Sequence, residues 1–137
     1  MDRTYGTCVI VECPEDGRAD AARILSEYGF DVGDELDFDV AYGGVEIPVG
    51  TASDVASSLR EAVPGSSFWV QEDPAYEFMG EVWMYTPELG MYGGVCDSNG
   101  HVVLRATTVE NLLGRADIED ALFTLTGKAW REALNYK

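Results

Sequence analysis

Lysine is scarce in this chain. Of 137 residues only Lys128 and Lys137 are lysine, and Lys and Arg together number 9 against 25 Asp and Glu, for a formal net charge of -16. Duplex nucleic acid is gripped by a basic footprint, so the balance argues against direct DNA or RNA binding. It argues equally against attraction to an anionic membrane surface. No apolar run approaches the roughly 20 residues that a membrane span needs. The amino-terminal residues, Met1-Asp2-Arg3-Thr4-Tyr5, lack the basic segment and apolar run of a secretory signal. Cysteine is sparse and odd in number (Cys8, Cys13, Cys96), which fits a reducing compartment. A cytoplasmic location is therefore expected.

Catalytic and phosphate-binding signatures are missing too. Gly43-Gly44 and Gly93-Gly94 lack the spacing of a dinucleotide fingerprint, and no Gly-Lys-Ser/Thr occurs. Both glycine pairs read as turns or bulges. No G-x-S-x-G surrounds a serine. The lone histidine, His101, could pair with Cys96 or Cys8 as base and nucleophile, but a hairpin with a polar tip accounts for it equally well. Cys8-x4-Cys13 and Cys96-x4-His101 resemble four zinc ligands on paper. Zinc requires all four to converge within about 2.3 Å, whereas buried small cysteines and a surface histidine need no metal. Neither a cofactor nor a metal is expected. Acid pairs could serve glycosidase chemistry, but with 25 acids such pairs arise by chance.

The chain is long enough for one domain with a real core, its hydrophobic fraction being 46%. Two sub-units sharing that core, 1–73 and 74–137, are an alternative. The organising stretch runs from Phe68 to Leu104 and is rich in aromatics. At its centre, Glu77–Thr86 reads as a central strand. Phe78, Val82 and Met84 lie on one face and Glu77, Met79, Glu81, Trp83 and Tyr85 on the other.

Ahead of it, Tyr5–Glu12 reads as a buried strand and Glu15–Tyr28 as a helix stopped by Gly29. Glu35–Tyr42 alternates like a strand, with Leu36, Phe38 and Val40 opposite Glu35, Asp37 and Asp39. Gly43-Gly44 then suggests a hairpin turn, with Val45, Ile47 and Val49 returning. Thr51 and Asp54 suggest a capped helix start, and Ser67–Gln71 a further strand. This order, β-α-β-β-α-β, is that of a ferredoxin-like unit. Strands follow at Leu89–Asp97 and His101–Arg105, joined by Asn99-Gly100 as a hairpin. Thr107 and Glu110 form a capping-box pattern, and a last helix from Asp117 is split or kinked near Gly127. The expected fold is α+β, mostly antiparallel, with a β-meander and two helices after the ferredoxin-like half.

Charge placement carries the functional signal. Residues 1–50 hold 12 acids and 3 bases, residues 51–100 hold 8 and 1, and residues 101–137 hold 5 of each. One set of acids comprises Asp31, Asp34, Glu35, Asp37 and Asp39; a second comprises Glu72, Asp73, Glu77 and Glu81. A strand row spaces charges ~6.8 Å apart, about four times sparser than the one charge per ~1.7 Å of duplex DNA. Several rows, aided by Glu15, Asp16 and Asp20, would come closer. Trp83 and Tyr85 beside acids would add an apolar patch with an acidic rim, as an interface presents.

The expectation is a non-enzymatic acidic inhibitor that imitates phosphate charge and occupies a basic nucleic-acid-binding protein. In size and composition the chain resembles small acidic phage and plasmid products that block restriction or CRISPR effectors. Two other classes fit the composition: a small-molecule or enzymatic α+β domain with a pocket near Cys96 and His101, and a salt-adapted housekeeping domain.

Overall fold

Five β-branched side chains, Thr4, Thr7, Val9, Ile10 and Val11, crowd the ten residues Arg3–Glu12, and this segment becomes strand β1 near the middle of a sheet. The structure, a computed structural model, describes residues 2–137. Helix α1 (Arg18–Glu27) follows a single 3-10 turn, then β2 (Ala41–Pro48), α2 (Thr51–Ala62), β3 (Ser67–Glu72), β4 (Gly80–Thr86) and β5 (Gly90–Cys96). Three helices close the chain: α3 (Ala106–Leu112), α4 (Ile118–Leu125) and α5 (Lys128–Ala133). The sheet order is β2-β1-β3-β4-β5, with every neighbour antiparallel. The fold is α+β. The sheet crosses the boundary at residue 73 without a break, because β3 pairs with β4.

Strand periodicity sorts the side chains onto two faces. On one face Cys8, Ile10, Phe68, Val70 and Tyr85 pack under Ile24 and Leu25 of α1 and Val55 and Leu59 of α2. On the other, Val82, Met84, Tyr92 and Cys96 pack against Leu134, Tyr136 and Trp130 at the end of the chain. β4 is therefore a central strand with packing on both sides. Gly29 stops α1 at φ +92, and Phe30 donates its N–H back to Leu25 at 2.9 Å.

Several expectations are corrected. Glu35–Val40 is a loop, and the strand begins at Ala41, running straight through Gly43-Gly44. The expected pair of strands is thus one strand. The first half reads β-α-β-α-β, and the ferredoxin-like order does not form. Gly44 is needed for proximity: a Cβ there would meet Ile47 at 3.1 Å and the Phe30 ring at 3.3 Å. The break in β2 comes later, where the register shifts between Thr4 and Gly6 and Glu46 adopts φ 54. That is a β-bulge, with an extra residue on β2.

Glu77 is not on a strand. Ala75 and Phe78 exchange both backbone hydrogen bonds (3.0 and 2.9 Å), which places Tyr76-Glu77 at the tip of a tight turn. The strand expected at His101–Arg105 shrinks to one bridge, Val102 with Cys96. Helix α2 starts after Gly50, not Thr51, and α3 after Arg105, so neither side-chain cap forms. The last segment divides at Gly127 (φ +65), giving three terminal helices in place of two. Gly93-Gly94 lies inside β5 and makes no turn.

Candidate functional site

The first acid set lies on the loop from 31 to 40. Val32 and Leu36 are buried in the core and anchor it, while Asp31, Asp34, Glu35, Asp37 and Asp39 are all exposed. Its backbone is fixed at several points. The Asp31 N–H donates to Gly43 O at 3.2 Å, the Asp37 N–H to the Tyr42 hydroxyl at 2.6 Å, and the Asp39 N–H to Ile10 O at 2.9 Å. Arg18 donates to Leu36 O and stacks its guanidinium 4.9 Å from the centre of the Phe38 ring. The same arginine reaches Glu15 at 3.5 Å, which places a sixth carboxylate beside the loop.

The loop acids are unpaired. Ion pairs among the described residues tie Arg23 to Asp20 and Glu27, Arg115 to Asp117, and Lys128 to Glu132. None involves Asp31, Asp34, Glu35, Asp37 or Asp39. Five carboxylates thus stand on a fixed backbone without an ion pair, Arg18 being engaged with Leu36 O, the Phe38 ring and Glu15.

The second acid set is anchored apart from the Asp39 end of the first. Asp73 is held by its N–H to Tyr5 O at 2.9 Å, whereas Asp39 is held to Ile10. Five residues of strand separate these anchors, or about 17 Å. Asp39 and Asp73 thus sit towards opposite ends of β1, while Asp31, bonded to Gly43 opposite Thr7, lies between them.

Glu72 also leaves the surface. It is buried, and its carboxylate accepts the Gly50 N–H at 2.9 Å and the Ala52 N–H at 2.8 Å. It caps α2 from across the sheet, where the helix dipole favours a negative charge. Burial pushes its carboxyl above the usual range; the two N–H donors oppose that shift.

Glu81, Trp83 and Met79 do meet. The Trp83 indole lies flat over Gly93, where a Cβ would come within 2.5 Å of the ring. Its Nε1 donates to Glu81 Oε1 at 3.0 Å. Phe78, Met79 and Val95, each 42% exposed or more, wall a groove of about 510 Å³ beside it, with Glu77 and Arg105 on the rim. The sequence signal for this groove was a glycine pair within an aromatic segment, since a strand glycine marks close approach. Tyr85 is absent from it. Its ring stacks on Phe68 (5.5 Å) in the core, and its hydroxyl donates to Pro64 O at 2.9 Å.

Cys96 and His101 stand in different surroundings. The Cys96 thiol is buried, faces Glu72 O at 3.8 Å, and is pushed up to about 12, mainly by burial. His101 is exposed, its Nδ1 3.8 Å from Asp97. Burial raises the Cys8 thiol as well. A thiol held in its protonated form is a poor nucleophile and a poor ligand. Among the described residues no group of three or more His, Cys, Asp or Glu could hold a metal ion, and no helix is long and apolar enough to cross a membrane.

Residues 41–136, from the start of β2 to Tyr136, match the family described as protein of unknown function (DUF3145). The chain belongs to that family. The DUF3145 match includes the Trp83 groove, Asp73, Glu77 and Glu81, and begins just after the acidic loop. No curated protein and no solved structure matches the chain.

Proposed function

We propose that this protein is a non-enzymatic acidic binding protein whose 31–39 loop occupies a basic surface of another protein. One observation carries the reading: five exposed carboxylates within nine residues, on a loop fixed by core anchors, lack internal cation partners. A preorganised acidic surface of this kind speeds encounter with a cationic partner and gives it orientation. The partner is expected to be a protein whose basic surface binds nucleic acid, so that binding this chain and binding nucleic acid exclude each other. The burial of Glu72 and the distance between the Asp39 and Asp73 anchors narrow the imitation from a length of duplex to a short run of phosphates. An inhibitor of a restriction or CRISPR effector is one form such a protein could take.

The test is affinity capture from a native lysate with the wild type and with the D34N/E35Q/D37N/D39N variant. The reading expects a basic protein retained by the wild type, absent with the variant, and released when duplex DNA is added. Identical retained sets for the two baits, or a partner indifferent to DNA, would contradict it.

A further inference from the structure

β5 is an edge strand, and its outer side is only partly closed. Val103 donates its N–H to Val95 O at 2.9 Å, and Asp97 donates to His101 O at 3.0 Å. Val95 therefore turns its backbone groups away from β4. Antiparallel pairing alternates, so Gly93 and Met91 turn theirs outward as well. The chain departs into α3 after Arg105 and does not follow this edge further. Among the described residues, no backbone or side-chain hydrogen bond from outside the sheet reaches Met91 or Gly93. Gly93 and Val95 are exposed. The opposite edge is protected: Phe30 bridges Gly44 and Asp31 bonds Gly43 alongside β2.

This open edge borders the Trp83 groove. An added strand would place alternate side chains on the groove face, above Trp83 and between Met79 and Val95. The charges nearby are mostly of one sign. Glu77 and Glu81 line the groove, Glu88 lies on the β4–β5 turn and Asp97 at the far end of β5, with Arg105 the one base on the rim.

We propose that the β5 edge and the Trp83 groove together form a strand-addition site for an extended peptide segment of a partner protein. The segment carries one large apolar residue for the groove, flanked by Lys or Arg. Main-chain hydrogen bonds to Met91 and Gly93 supply the pairing, and the groove and the acids supply selectivity. The site is independent of the acidic loop, and its failure would leave the loop reading standing.

The experiment uses the full chain and a fluorescent heptapeptide, Lys-Val-Lys-Leu-Lys-Val-Lys, at about 0.15 M NaCl, where long-range attraction is screened. Two controls keep its charge: the same peptide N-methylated at alternate amides, and a peptide of the same composition in scrambled order. V95R places a charge in the groove wall, where Val95 is exposed, without touching the core. Saturable binding is expected, weakened by about tenfold or more by N-methylation, which removes two or more hydrogen bonds. V95R is expected to weaken it similarly, while D34N/E35Q/D37N/D39N leaves the N-methylation effect intact. The proposal is overturned if no peptide binds, or if the N-methylated and scrambled peptides bind as well as the parent. It is also overturned if sedimentation finds a wild-type dimer that V95R dissociates, because a second copy of the chain would then fill the edge.

Discussion

At the scale of single residues, Glu72 and Gly93 show how chemistry and geometry fix a position. Glu72 is a carboxylate taken out of water to hold two N–H groups at the start of α2. Replacing it with alanine leaves those donors without their acceptor and is expected to cost about 2 kcal/mol, read from the urea midpoint. Its pH behaviour follows from the upward shift. In the folded state Glu72 holds its proton to higher pH than in the unfolded chain, so its contribution to stability is full below the ordinary glutamate range. That contribution falls as pH rises through the elevated folded value. The wild-type stability curve should therefore decline over this window relative to E72Q, which has no proton to lose; parallel curves would refute the assignment. At Gly93 a methyl group would strike the Trp83 ring. G93A is expected to displace the indole from Glu81 and to lower stability by about 1–2 kcal/mol, measured by the same denaturation.

At the scale of elements, the instructive segment is 31–40. Leu36, Phe38 and Val40 alternating with acids obey a strand's period, yet only Leu36 enters the core. Phe38 is satisfied by Arg18 lying over its face, a contact 20 residues away in sequence that no local pattern announces. Asp39 sits at φ 57, a conformation that ends an extended run and that Asp and Asn tolerate better than most residues. The loop also explains why the acids face outward without forming a row.

Elements with strong local signals were legible: β1, α1, α2, β3 and β5 lie close to where periodicity and glycine stops put them, and β4 does so from Gly80 onward. The cap of α2 was not, because its acceptor comes from β3 across the sheet. Nor could the sequence separate Tyr85, buried against Phe68, from Trp83, which borders the groove, since both lie on one face of β4. For the loop itself, the four Asn and Gln substitutions sit on exposed side chains and leave Val32 and Leu36 in place. The variant is expected to match wild-type stability to within about 2 kcal/mol, so that any lost binding reports lost charge. A variant that unfolds would instead make the loop a structural element.

At the scale of the whole molecule, a net charge of -16 on 137 residues opposes compaction. Screening should relieve it. Raising NaCl from about 0.01 M to about 1 M shortens the screening length from ~30 Å to ~3 Å, and the thermal midpoint should rise with it. The binding reading expects a cooperative fold already at about 0.1 M; a salt-adapted housekeeping domain would be unfolded there and rescued only at high salt. Circular dichroism across the series separates the two.

The most direct measurement is the affinity of the captured partner for the wild type and for D34N/E35Q/D37N/D39N over one NaCl series. The account predicts that wild-type binding weakens by about tenfold or more between 0.05 M and 0.5 M, as screening shortens the reach of the loop carboxylates. The variant should bind weakly throughout, with a much flatter dependence. Equal affinities and equal slopes for the two proteins would contradict the claim that the unpaired acids of the 31–39 loop are what the partner recognises.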